Sequence, residues 1–243
     1  VGGLRERAMA GFLDKKPAFR IAGDRGLLVE YGDAVDPVVN RKVRSVAAAL
    51  DREPLEGVVE YVPAYRSLLL VYDPLRTDPS TLEKEMRSLE GRLAGIETPP
   101  AGTVQIPVCY GGEFGPDISI VAESHNMTVD EVVRIHSRPD YQVYMIGFTP
   151  GFPFLGGLDE RLHTPRRETP RTLVPAGSVG IANAQTGVYP VDSPGGWRLI
   201  GRTPLKLFDP EREEPFLVRA GDVLRFQPVT RSEYFRLAGE GGA

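Results

Sequence analysis

Arginines, a histidine and aromatic rings crowd the glycine- and proline-rich stretch from Gly147 to Pro210, and their types limit the chemistry open to this chain. Arg166, Arg167 and Arg171 lie beside Pro165 and Pro170. Guanidiniums held by neighbouring prolines present forked donors to a carboxylate or phosphate with little entropy lost on binding. The alternative is a surface network in which they pair with Glu168, Asp159 and Glu160. Gln185, Thr186 and Tyr189 add polar groups on the same loops. His163 divides between a ligand or base and a structural histidine. Phe152, Phe154 and Trp197 divide between pocket or interface wall and ordinary core.

Several self-contained sites are excluded. The chain has no G-x-x-x-x-G-K-[ST] phosphate loop and no G-x-G-x-x-G opening a helix. Ala176-Gly177-Ser178-Val179-Gly180 misses the nucleophile elbow at its first position. His125, His136 and His163 lack the spacing of a zinc site, so no metal site is expected, and each reads more simply as a structural or surface histidine. Cys109 sits in an apolar run and reads as a buried small hydrophobe rather than a reactive thiol.

The totals describe an ordinary globular chain of 243 residues, 41% hydrophobic and 26% charged. A net charge of -4, with bases scattered among acids, gives no footprint for a nucleic acid or an anionic membrane. One cysteine and no apolar run of membrane-spanning length or signal-peptide type lead to the expectation of a cytoplasmic protein.

The elements that must position these residues fall into two groups. Residues 1–17 are expected to be a disordered or non-native terminus, with Met9 a candidate start, and residues 18–95 an α+β domain. In it, a strand pair turns at Asp24. Asp36 caps a helix with Pro37 at its first position and Val39, Val43, Val46 and Leu50 on one stripe. Two strands, 58–62 and 67–72, follow. Ser80 with Glu83 then opens a second helix whose inner face is Leu82, Met86, Leu89 and Leu93. This order suits a small split βαβ sandwich, one helical layer on one sheet. Arg66, in its loop, reads as a ligand contact or a solvated charge.

Residues 96–102 form a Pro/Gly linker, and residues 103–240 the second domain. A strand over 104–110 precedes two short helices, one capped by Asp117 and one opened by a Thr128–Glu131 capping box. Strands are expected at 141–148, 169–174, 177–182, 187–191, 197–201, 214–219 and 222–228. Their short, regular spacing predicts a β-barrel capped or plugged by the two helices.

Five runs carry a family resemblance: Gly147-Phe148-Thr149-Pro150-Gly151-Phe152-Pro153-Phe154-Leu155, Leu162-His163-Thr164-Pro165-Arg166-Arg167, Leu173-Val174-Pro175-Ala176-Gly177-Ser178-Val179, Gln185-Thr186-Gly187-Val188-Tyr189-Pro190 and Ser193-Pro194-Gly195-Gly196-Trp197. Tyr110-Gly111-Gly112, Gly115-Pro116-Asp117 and Leu207-Phe208-Asp209-Pro210 extend it. In this order they resemble the KipI / allophanate hydrolase subunit 1 family, whose bacterial members are described as the B subunit of 5-oxoprolinase. The resemblance covers essentially the whole chain. It implies a small N-terminal α+β domain and a cyclophilin-like, carboxyltransferase-type C-terminal β-barrel.

It also implies a hydrolase subunit that is inactive alone. The expected partner is a homologue of the C subunit, itself cyclophilin-like, and the A subunit works alongside them. ATP, with Mg2+, would be used in the complex to activate the lactam 5-oxoproline on its way to glutamate. His163, Arg166, Arg167, Arg171, Gln185, Thr186 and Tyr189 are then the candidates for holding substrate or phosphate. A KipI-like inhibitor of a sensor histidine kinase is the rival, with Phe152, Pro153 and Phe154 as exposed anchors. A urea-carboxylase-type accessory domain is a third reading, unsupported by any biotinyl or ATP-grasp segment. The barrel implies no prolyl isomerase activity, because a fold does not carry a site. The Ser-Lys amidase signature is absent.

Overall fold

A computed structural model describes residues 16–92 and 100–240. Leu93, most of the 1–17 terminus and most of the 96–102 linker lie outside the described residues. The chain divides into two compact units, up to Pro100 and from Ala101.

In the first unit, strands β1 (Ala18–Ala22), β2 (Gly26–Glu30), β3 (Val58–Pro63) and β4 (Ser67–Tyr72) form one sheet in the order β1-β2-β4-β3. Strands β2 and β3 both pair antiparallel with β4, so they run parallel to each other with β4 between them. Helix α1 (Pro37–Arg52) is their crossover, which makes the split βαβ unit. The Asp36 carboxylate accepts from Val38 N at 2.7 Å and Val39 N at 3.3 Å. Val39, Val43, Val46 and Leu50 are buried, as their spacing requires. Asp36→Ala should cost about 1 kcal/mol of stability, read from the urea midpoint at constant m-value.

Helix α2 (Pro79–Glu90) starts differently from the expectation. Asp78, not Ser80, is the N-cap, and its carboxylate accepts from Ser80 N at 2.8 Å and Thr81 N at 3.1 Å. Hydrogen bonds from Ser80 and Thr81 hold that carboxyl below its usual range. Glu83 is engaged by Arg87 at 2.7 Å. A carboxylate one residue before a proline outcompetes a hydroxyl inside the first turn. Arg66 has partners within this unit: it pairs with Glu30 at 3.1 Å and donates to the Gly32 carbonyl.

The second unit is a closed seven-stranded barrel. It uses β5 (Thr103–Tyr110), β6 (Tyr141–Ile146), β7 (Pro153–Gly156), β9 (Ser178–Ala182), β10 (Gln185–Val188), β12 (Arg198–Arg202) and β13 (Val223–Pro228), in the order β10-β7-β6-β13-β5-β12-β9. Strands β8 (Arg171–Val174) and β11 (Ser193–Gly195) form a separate antiparallel ribbon. The β13–β5 pairing is parallel, from Val223 opposite Thr103 to Pro228 opposite Val108. Helices α3 (Ile118–Ser124) and α4 (Val129–Ser137) press Ile118, Val121, Val132 and Ile135 onto the barrel core. The Thr128–Glu131 capping box forms as expected.

Three expectations for this unit change. Asp117 precedes α3 but makes no side-chain cap, because its carboxylate is used elsewhere. Residues 214–219 form no strand; only Phe208 and Phe216 bridge, and Pro215 removes a donor from the run. Helix α5 (Arg231–Glu240) and the short strands β7 and β11 are additions to the expected elements; for α5, Thr230 and Glu233 exchange the bonds of a capping box.

Candidate functional site

The loops between barrel strands form a half-open cleft of about 360 Å³. Its wall is aromatic because four rings meet around one residue. The Phe152 ring lies 5.0 Å from Phe154, 5.5 Å from Tyr189, 5.5 Å from Trp197 and 5.6 Å from Phe148, between centroids. The contacts with Tyr189 and Trp197 are edge-on, at 83° and 88°, the arrangement that ring quadrupoles favour. Glycine makes such crowding possible. A Cβ on Gly195 would sit 2.5 Å from the Tyr189 hydroxyl oxygen, and one on Gly187 3.0 Å from the Phe152 ring.

Phe148 is exposed and holds φ 65°, a left-handed backbone unusual for an aromatic residue. It lines the cleft. The anchors expected to be exposed are not: Phe152 and Pro153 are buried and Phe154 is half-buried. Reading the sequence for site residues misses Phe148. Its flanking Gly147 and Gly151 are the available signal.

The candidate cations separate. Arg166 is exposed, lines the cleft, and lies over the Trp197 ring at 6.0 Å from its centroid. It makes no ion pair among the described residues. Arg167 and Arg171 instead meet a buried carboxylate: Asp117 Oδ1 accepts from Arg171 Nη2 at 2.8 Å and from Arg167 Nη1 at 3.4 Å. Asp117 Oδ2 accepts from Leu199 N at 2.7 Å. Burial alone would raise the Asp117 carboxyl. Arg171, the Leu199 amide and Arg167 outweigh it and hold the group below the usual range. The partner is therefore Asp117, and not Glu168, Asp159 or Glu160. Asp159 is taken by Arg161 at 2.7 Å.

Tyr189 joins Arg166 at the cleft. Burial pushes its phenol up, against the Trp197 amide and the charges of Arg166 and Arg171, so it is a neutral hydrogen-bond donor near neutral pH. Gln185 and Thr186 lie on β10, and Thr186 is buried in the barrel. There Thr186 Oγ1 meets His136 Nε2 at 2.8 Å and donates to the Gly180 carbonyl at 3.0 Å. Tyr110 Oη lies 2.8 Å from His136 Nδ1. Burial pushes the His136 imidazole down to about 3, so it is neutral and structural. The Nε2–H tautomer satisfies the whole chain of groups: Tyr110 donates to Nδ1 and Nε2 donates to Thr186.

His163 lies outside the cleft lining, with Nε2 3.4 Å from the Leu158 carbonyl. His125 meets Thr164 Oγ1 at 3.0 Å. Cys109 is buried, and burial pushes its thiol up, away from reactivity. Among the described residues no group of three or more His, Cys, Asp or Glu could hold a metal ion. No helix there is long and apolar enough to cross a membrane.

Comparison with known proteins gives this geometry its relatives. The family model described as carboxyltransferase domain, subdomain C and D, matches residues 17–218. The B subunit of 5-oxoprolinase from Bacillus subtilis (strain 168) is 44% identical over 222 residues, covering 87% of this chain and 92% of the relative. That of Escherichia coli O157:H7 is 43% identical over 209 residues, covering 86% and 94%. The crystal structure of TTHA0988 shares 41% identity at a TM-score of 0.74 over 84% of this chain. This chain spans 40% of the length of that one.

Proposed function

Because the chain belongs to the carboxyltransferase domain family of subdomains C and D, and its bacterial relatives are 5-oxoprolinase B subunits, we propose that it is the B subunit of an ATP-dependent 5-oxoprolinase. The reaction is 5-oxoproline, ATP and water to L-glutamate, ADP and phosphate. In this reading the chain works with a homologue of the C subunit, and with the A subunit for the opening of the lactam. ATP is a substrate of the complex, and we assign no Mg2+ ligand to this chain.

The observation that carries the reading is the aromatic cleft with a guanidinium over Trp197 that has no ion pair among the described residues. 5-Oxoproline is a small, nearly flat ring bearing one carboxylate and one unreactive amide. The walls of Phe152, Phe154 and Trp197 suit the ring, and Arg166 suits the carboxylate in a bidentate pair. Tyr189 is the donor for the lactam carbonyl. Transfer of the γ-phosphoryl group to that carbonyl oxygen releases ADP and activates the lactam carbon; one water adds there, the C–N bond breaks with the ring nitrogen taking a proton, and a second water cleaves the resulting γ-glutamyl phosphate to glutamate and phosphate. A half-open cleft with a cation to spare is what one polypeptide would contribute to a centre completed by a partner.

Co-expression with the C and A subunits should give 5-oxoproline-dependent ATP consumption, measured as phosphate release. No turnover with the complete set would overturn the proposal. Kinase inhibition gains no support from Phe152 and Pro153, which are buried where that reading needs them exposed.

A further inference from the structure

Asp117 does not line the cleft, yet it is 2% exposed and is bonded to both segments that do. Its backbone N–H donates to the Leu199 carbonyl at 2.9 Å while its carboxylate takes the Leu199 N–H, a closed two-bond clasp on the start of β12. Its two arginines extend the clasp in both directions. Arg171 Nη1 donates to the Trp197 carbonyl at 3.4 Å. Arg167 donates through its backbone N–H to the Gly196 carbonyl at 2.8 Å and through Nε to the Thr169 carbonyl at 3.2 Å. Arg166 and Pro170, in one segment, and Gly196 and Trp197, in the other, are cleft-lining residues.

We infer that Asp117 is a positioning residue for the cleft: its buried carboxylate, through Arg167 and Arg171, fixes the 166–171 segment against the 196–199 segment and so sets Arg166 over Trp197. The physical reason is that one carboxylate shared by two guanidiniums and an amide has little freedom of its own. Two loops tied to the same carboxylate therefore keep a fixed spacing. Remove its charge, and two partly buried cations face each other without a counterion, and the segments they belong to separate. Asp117 touches no substrate in this arrangement; it acts through Arg166 and Trp197.

The kinetic half of the test rests on the reading of the cleft as the lactam site, and the spectroscopic half does not. Trp197 is the sole tryptophan, so its emission reports the cleft in the isolated chain. Asp117→Asn and Arg171→Lys should each shift that emission and increase acrylamide quenching while far-UV circular dichroism stays unchanged. In the assembled enzyme each should raise KM for 5-oxoproline about tenfold with kcat held within about twofold. Asp117→Asn combined with Arg166→Ala should raise KM by less than the product of the two single effects, since part of the Asp117 effect is exerted through Arg166. Unchanged Trp197 emission and quenching, a fall in kcat at constant KM, or additive losses in the double variant would each overturn the inference. If Asp117→Asn does not fold, Arg171→Lys, which keeps the charge and loses the fork, carries the same readouts. A wild-type assembly without turnover would remove the lactam reading, and Trp197 emission alone would then decide the positioning role.

Discussion

His136→Ala should lower the unfolding free energy by about 3–5 kcal/mol, one of the two largest losses expected from a single change in this chain. The imidazole is fully buried, and it is the shared partner of the Tyr110 and Thr186 hydroxyls. Alanine leaves a cavity against Phe226, whose ring centroid is 4.5 Å from the imidazole, and strands the Tyr110 hydroxyl without its acceptor. The same residue makes the barrel acid-sensitive. Its folded value of about 3 lies below the unfolded value of 6.5. The unfolded chain therefore takes up a proton that the folded chain refuses, and stability present above 6.5 is lost as pH falls toward 3. Between pH 7 and pH 5 this group should remove about 2 kcal/mol. Urea unfolding at both pH values checks both statements: His136→Ala should be less stable at pH 7 and should lose less than wild type on going to pH 5. Equal pH dependence in the two proteins would contradict the assignment of a neutral, buried imidazole.

Phe152→Ala should cost about 3–5 kcal/mol and dismantle the cleft wall. Phe152 is 2% exposed and contacts four aromatic rings, so the loss combines burial, a cavity and ring-edge attraction. Its effect is distinguishable from that of Arg166→Ala. The former should lower the urea midpoint and move Trp197 emission to the red, whereas the latter should leave stability within about 0.5 kcal/mol of wild type. An unchanged urea midpoint for Phe152→Ala would show that the ring is not the packing centre of the cleft.

Much of the scaffold is written in local pattern. The stripe of Val39, Val43, Val46 and Leu50, the Asp36 cap and the Thr128–Glu131 box each depend on neighbours within a few helical turns. The barrel follows from the rhythm of short strands and turns. Asp117 shows where that kind of reading stops. Standing before an apolar run, it has the position of an N-cap, but its partners Arg167 and Leu199 are 50 and 82 residues away. Chain order matches the arginines with nearby acids, and in a closed barrel proximity in the chain is a poor guide to proximity in space. Thr186 is legible as a polar residue on a strand. Only the register of β10 decides that it faces His136 inside the barrel rather than a ligand.

The parallel pairing of β5 with β13 also governs the order in which the molecule can be made. During synthesis β5 emerges early and must wait, through more than a hundred residues, for the strand that seals it. Until then both it and β6 present open hydrogen-bonding edges and an apolar interior. The first unit has no such delay, since the strands of its sheet lie between Ala18 and Tyr72. Nascent chains stopped before Val223 should therefore carry a finished first unit and an adhesive, unsealed second one, the stage at which a chaperone or an assembling neighbour has most to gain by binding.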